Sequence, residues 1–414
     1  MAKLKSPFLA SSAFLMLGVL LISVSLRSPI TGIGPLLDAI RAELNLSATQ
    51  AGMLTTLPLL AFAFFSPIAA RLGRKRGLEQ ALMLSLLLIT LGLVIRSLGN
   101  TLGLFSGTVI IGAGIAIANV LLPSLMKRDF PNKIATMTSI YVLMMGAGSA
   151  LSAGSAIPLA EFADSLSISF IPNWAFSLVS LVLFPIIAML VWLPQLRNHT
   201  APTKDAMELD SHSYLWRNAD AWHITLFLAM NSFLMYIFIS WLPTILVEQG
   251  YSHHEAGVIH GTLQLFTAVP AVLLIPLMAK IDDKRLLSFG LTLMAFIGIL
   301  GLILAPAHAM IWGMMFGFGA GGGFIVALAL ISLRTSSAHQ AATLSGMAQF
   351  LGYLFAATGP IIMGAIHEDT GSWQQPLIVC AAVALVWSTF SVLASKSKLI
   401  TSATLPLAPR VMSK

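Results

Sequence analysis

The sequence predicts an all-α membrane protein whose twelve transmembrane helices form two pseudo-symmetric six-helix bundles, with both termini cytoplasmic. Three observations carry this expectation. Of 414 residues, 57% are hydrophobic and 9% charged, with a mean hydropathy of +0.88, whereas charged residues make up about a quarter of an ordinary soluble domain. Polar and charged stretches divide the chain into twelve apolar segments, each near the ~20 residues that a helix needs to cross the hydrocarbon core. All 23 basic residues except Arg27, Arg41 and Arg96 gather at alternate breaks between these segments. The positive-inside rule assigns those breaks to the cytoplasm, and an even number of spans returns both ends of the chain there.

In chain order the spans are 8–40, 49–70, 77–97, 101–126, 134–159, 172–195, 222–247, 255–279, 286–305, 308–332, 341–366 and 375–395. Lys3 and Lys5 precede the first without a small-residue cleavage site after it, so it reads as an uncleaved helix. Its apolar character continues past Arg27 through Pro29, Ile30, Ile33, Pro35 and Leu37. One long, kinked helix places Arg27 near mid-membrane; a helix ending at Leu26 places it at the interface. A mid-membrane charge is costly, needs a cavity or a partner and is functional by default, which favours the first reading. The formal charge of +7 is dispersed in small groups between spans, which fits topology and no nucleic-acid surface. A single cysteine, Cys380, excludes an internal disulfide and a cysteine metal cluster. Without histidine-rich metal spacing or a nucleophile constellation, the chain is expected to need no cofactor and to be no enzyme.

The polar stretch 197–221 lies at the middle of the chain and reads as a cytoplasmic linker between bundles 1–196 and 222–396, with 397–414 a cytoplasmic tail. Internal similarity supports the division. Gly112-Ala113-Gly114 recurs as Gly319-Ala320-Gly321, and Ala135-Thr136 as Ala342-Thr343, both at an offset of 207. Pro67, Arg71, Lys75 and Arg76 recur as Pro276, Lys280, Lys284 and Arg285 at an offset of 209. Matches in order at a nearly constant offset indicate a duplicated six-helix unit, the parallel-repeat plan of major-facilitator transporters.

Arg71-Leu72-Gly73-Arg74-Lys75 resembles the basic end of the major-facilitator loop motif, with Ser66 and Ala70 where that motif usually has glycine and an acidic residue. The chain from about 11 to 396 is similar to the cyanate and 2-nitroimidazole transporter family within that superfamily. The similarity rests on Leu26-Arg27 with Gly34-Pro35-Leu36-Leu37, on Leu54-Thr55-Thr56-Leu57-Pro58, on Leu121-Leu122-Pro123 with Lys127-Arg128, and on Ser345-Gly346-Met347-Ala348-Gln349. Segments 77–96 and 334–346 resemble the 2-nitroimidazole exporter type. The resemblance implies a multi-pass protein of the bacterial inner membrane whose first helix carries Arg27 through a central cavity. Ser28 stands before Pro29, where several members have proline directly after the arginine, so the local kink is expected to differ.

Such a fold places substrate between the halves near mid-membrane, so polar residues deep in apolar runs are the candidate contacts. Arg27 offers a permanent charge and a planar fork of donors suited to a carboxylate, a nitro group or another compact acceptor. Thr31 shares its face one turn on, where its hydroxyl either meets substrate or bonds its own helix backbone. Asn119, Tyr141, Asn231 and Tyr236 lie within the fourth, fifth and seventh spans, and either contact substrate or join helices. The repeat offset sets Met235 or Tyr236 opposite Arg27. Two polar stripes follow at helical spacing, His260, Gln264 and Thr267 in the eighth span and Ser345, Gln349 and Tyr353 in the eleventh. All sixteen acidic residues fall in loops or near span ends, with Asp38 and Glu79 the most deeply placed. His260 is the candidate proton-coupling group by residue type, although its shallow position suits a structural histidine. A uniporter and a proton carried with the substrate both stay open.

The expected function is transport of a small polar, anionic or nitroaromatic compound, 2-nitroimidazole-like or cyanate-like, by alternating access, with Arg27 as central contact. Arg71, Gly73, Arg74 and Lys75 are the expected gate-loop motif. The expected partners are the small-molecule substrate, the lipid bilayer and protons, with no nucleic acid and a monomeric protein. The rival reading is a broad exporter of hydrophobic drugs, with 20 methionines and 23 phenylalanines lining an adaptable pocket.

Overall fold

Twelve helical stretches among the described residues are long and apolar enough to cross a membrane. The computed structural model describes residues 12–166, 171–197, 211–396 and 399–400; Lys3, Lys5, the linker core at 198–210 and the tail from 401 lie outside them, as does the Asp38 side chain.

The first span is α1 (Ser12–Thr31), followed by a 3-10 turn at Gly34–Leu36 and a short helix, α2 (Leu37–Leu44). The apolar run is therefore not one unbroken rod. It stops two residues after Pro29, and Arg27 lies in the last turns of α1. The first half continues with α3 (Ala48–Arg76), α4 (Leu78–Arg96), α5 (Thr101–Asp129) and α6 (Ile134–Ser165), and its sixth span is divided into α7 (Asn173–Ser180) and α8 (Leu183–Trp192). After the short α9 (Ser211–Arg217), the second half comprises α10 (Ala219–Glu248), α11 (His253–Lys280), α12 (Arg285–Leu304), α13 (Ala309–Leu333), α14 (Ala338–Thr370) and α15 (Gln374–Lys396).

Duplication is visible in how equivalent helices begin and pack. Both α3 and α11 open with a capping box, Ser47 with Gln50 and Ser252 with Glu255, and each contains two internal prolines. The paired glycines of α5 and α13 serve close helix crossings. A Cβ on Gly112 would stand 2.6 Å from Ala61 of α3, and one on Gly114 2.8 Å from the Ser85 carbonyl of α4. In the second half the order is exchanged: Gly319 meets the Leu291 carbonyl of α12 and Gly321 the Thr267 carbonyl of α11. Small residues let backbones approach where lipid gives no hydrophobic drive between helices.

The basic-loop side carries most of the polar structure. Glu79, only 3% exposed, accepts a 2.7 Å ion pair from Arg128, which also binds Asp129. In the loop before α12, Arg285 pairs with Asp283 and holds its carboxyl at about 2, below the ordinary carboxylate range. The cationic charge of that loop is thus partly spent within it. Beyond α15 the chain turns back: Ile400, 1% exposed, forms a parallel bridge with Thr335, its N–H donating to the Arg334 carbonyl at 2.7 Å. Gln340 Nε2 donates to the Ile400 carbonyl at 2.9 Å, and Arg334 Nη2 donates to that of Ser395.

The halves meet along α3 with α14 and α6 with α11. A Cβ on Gly346 would stand 3.0 Å from Ala70, and one on Gly146 2.9 Å from Ala268. Side-chain hydrogen bonds tie them further: Arg74 Nη1 donates to Thr343 Oγ1 at 3.0 Å, Ser332 Oγ to the Pro123 carbonyl at 2.7 Å, and Gln349 Nε2 to the Asn119 carbonyl at 2.9 Å. All of these ties belong to the half of the bundle that carries the basic loops.

Candidate substrate site

Three helices of the second half bring aromatic side chains to Arg27, and two more of the first half build on them. The Arg27 Cζ lies 5.9 Å from the centroid of the Phe324 ring on α13, within cation–π range. Tyr236 of α10 and Tyr353 of α14 are close enough to interact electrostatically with the guanidinium, and Tyr141 of α6 with Tyr353. Phe62 of α3 completes the group, its ring 5.0 Å from that of Tyr353 and tilted by 57°. Among the described residues no acidic side chain lies within ion-pair distance of Arg27. The result is one half-buried cation walled by aromatic rings and phenol hydroxyls, from α1, α3 and α6 of one half and α10, α13 and α14 of the other.

Local sequence explains why Arg27 stands firm. Helix α1 ends four residues later, where the backbone ladder runs out, although the Ser28 carbonyl still accepts the Gly32 N–H at 3.2 Å. Neighbouring side chains add further donors. Ser152 Oγ donates to the Ser28 carbonyl at 2.6 Å and Arg96 Nη1 to that of Pro29 at 2.5 Å. Thr31 Oγ1 donates to its own helix at Arg27 (3.1 Å) and lies 3.3 Å from the Ser149 carbonyl of α6. Gly148 permits this approach, since a Cβ there would be 2.5 Å from the Val24 carbonyl.

The structure thus brings together Arg27, Tyr141, Tyr236 and Tyr353 of the expected contacts. Others have different employment. Asn231, 3% exposed, donates from Nδ2 to the Ala320 carbonyl at 2.8 Å and welds α10 to α13. Gln349 Nε2 serves the Asn119 carbonyl and Ser345 Oγ, both at 2.9 Å, while its Oε1 is buried without a partner. The Asn119 side chain is half-buried on α5, and Gln264 is half-buried on α11, its carbonyl taking the Thr267 hydroxyl at 2.7 Å. His260 lies two turns into α11 with Nε2 buried and unpartnered. In the loop motif, Arg74 makes the inter-half tie, Gly73 packs on Leu121 of α5, and Arg71 and Lys75 are exposed. Phe62 and Phe324 were not singled out by sequence, because nothing distinguishes them among 23 phenylalanines; the position of Phe324 directly after the 319–323 glycine run was the only available signal.

Two repeated six-helix halves closing on a central cation define a membrane transporter. The chain belongs to the Major Facilitator Superfamily, whose family model matches residues 13–357 and again 250–410. It is 45% identical to the 2-nitroimidazole transporter of Escherichia coli (strain K12) over 384 residues, covering 93% of this chain and 96% of that protein. Identity to the cyanate transport protein CynX of the same organism is 25% over 361 residues, 87% of this chain and 91% of that one. Among solved structures, the transporter FucP in its outward conformation superposes with a TM-score of 0.73 at 14% identity, covering 93% of this chain and 100% of that chain. These relatives are transporters, and the protein is a multi-pass membrane transporter and not an enzyme.

Proposed function

We propose that the protein moves a small, flat, anionic or nitro-bearing compound, 2-nitroimidazole-like or cyanate-like, across the bacterial inner membrane by alternating access. The observation that carries this reading is the guanidinium of Arg27, which faces Phe324 and a group of tyrosines with no carboxylate among the described residues to neutralise it. An uncompensated, half-buried cation among aromatic rings favours a ligand that brings negative charge or strong acceptors, and the fork geometry suits two oxygens in one plane. Aromatic walls add stacking surface for a ring. A pump for cationic drugs would need a carboxylate at this site, and among the described residues none pairs with Arg27. With the halves tied at Arg74, Ser332 and Gln349, the side that charge bias assigns to the cytoplasm is the closed one. Substrate then meets Arg27 from the opposite face, and the return step requires those ties to break.

The test is thermal stabilisation of the purified protein by 2-nitroimidazole, cyanate, small carboxylates and lipophilic cations, repeated with Arg27→Ala. A ligand at a hundred times its Kd stabilises by about 2.7 kcal/mol. Stabilisation by nitro compounds or anions that disappears in the folded variant supports the site. Stabilisation by cations that survives the substitution sinks it.

A further inference from the structure

A second arginine is more deeply buried than Arg27. Arg96, the last residue of α4, is 0% exposed. Its Nη1 donates to the Pro29 carbonyl, two residues beyond Arg27, while Nε and Nη2 are buried without a protein partner. Among the described residues no carboxylate pairs with it. A buried cation with two idle donors and no counter-ion is costly, and replacement of such a group by an apolar one of similar volume is commonly neutral or stabilising. Stability therefore does not explain why an arginine stands here.

Its placement does. The carbonyl it binds belongs to the last turn of α1, where the helix dipole ends negative and a cation is favourably placed. Helix α5 presses on the Arg96 backbone from behind, since a Cβ on Gly107 would lie 2.4 Å from its nitrogen. On the other flank the same turn is held from α6 through Ser152 and Ser149. The end of α1 is thus clamped between α4 and α6, and the α4 arm of the clamp is a charged group.

We propose that Arg96 is the positioning residue for Arg27. It fixes the end of α1 through the Pro29 carbonyl, so that the Arg27 guanidinium is presented towards Phe324 and Tyr236, and its own uncompensated charge adds to the positive potential there. This rests on the reading of Arg27 as the substrate contact.

The experiment compares Arg96→Met, Arg96→Lys and Arg27→Ala in the full-length protein, measuring the Kd for 2-nitroimidazole, the Tm without ligand, and KM and kcat for transport in proteoliposomes. Arg96→Met is expected to keep or raise the unliganded Tm yet weaken binding about tenfold, short of the ~100-fold that a full ångström of misplacement can cost. The loss should appear in KM with kcat little changed. Arg96→Lys, which keeps the charge and a donor for the carbonyl, should recover most of the affinity, a rescue that a packing role would not produce. Should Arg96→Met not fold, Arg96→Leu takes its place with the same expectation. Unchanged Kd in the folded Met or Leu variant, while Arg27→Ala abolishes binding, overturns the inference and leaves the site standing. Unchanged Kd in Arg27→Ala overturns the site reading itself, and this inference with it.

Discussion

Replacing Gln349 with methionine should open the basic-loop side. The Asn119 carbonyl would ordinarily accept the N–H four residues on, but that residue is Pro123, which has none. Gln349 Nε2 supplies the missing donor from the opposite half. This bond exists only while the halves are closed; once they part, water can serve the carbonyl instead. A hydrogen bond of this kind contributes about 1 kcal/mol net, so Gln349→Met should shift the closed-to-open ratio about fivefold. Adding Arg74→Gln and Ser332→Ala removes the other two ties, for about 3 kcal/mol or roughly a hundredfold if the sites are independent. Spin labels at Lys75→Cys and Ser336→Cys, in a Cys380→Ala background, report the separation of the halves on that side, both positions being exposed. Double electron–electron resonance should show a longer-distance population that grows from the single to the triple variant. Identical distance distributions in the wild type and the triple variant would refute the reasoning, because the ties would then carry none of the closure.

Phe324→Leu removes the ring over Arg27 and should weaken 2-nitroimidazole binding about two- to fivefold, from a cation–π contribution of ~0.5–1 kcal/mol; equal affinity by calorimetry would remove Phe324 from the site. Asn231→Leu breaks the weld to the Ala320 carbonyl and should lower the Tm, at a cost of about 1 kcal/mol, while ligand affinity in the folded protein stays near wild type. A selective loss of affinity there would return Asn231 to the substrate contacts. Glu79→Gln should also lower the Tm, because Arg128 loses the charged partner of a buried ion pair; a Tm equal to wild type would show that this ion pair adds nothing to stability.

The spans, their number and the duplication were legible because bilayer thickness and charge bias act on composition, which a sequence displays directly. Arg27 was legible for a related reason: a charge inside an apolar run contradicts its surroundings. The tyrosines followed, being few and deep in such runs. Asn231 and Gln349, which hold carbonyls of neighbouring helices, show where this logic stops short of assigning a role. A polar group in mid-span is required equally for holding a ligand and for satisfying a neighbouring helix, and the two demands select the same residue types. What separates them is which carbonyl lies opposite, and that depends on crossing angles and on kinks such as that at Pro123. Arg96 was hidden by its position at a span end, where arginine ordinarily reaches water; only the packing of α5 and the end of α1 over it makes the site dry. The break after Thr31 escaped notice because apolar residues continue on both sides of it.

The returning chain at Ile400 has a practical side. With Ile400 buried against the turn between α13 and α14, and Gln340 and Arg334 holding its neighbourhood, the last membrane helix does not hand over to a passive appendage. The start of α14 is also where Thr343 receives Arg74. A reporter or affinity tag grafted immediately after α15 would displace the Ile400 peg from the very turn on which closure is registered, and would change the behaviour it was meant to observe. Fusions belong further along, past the peg.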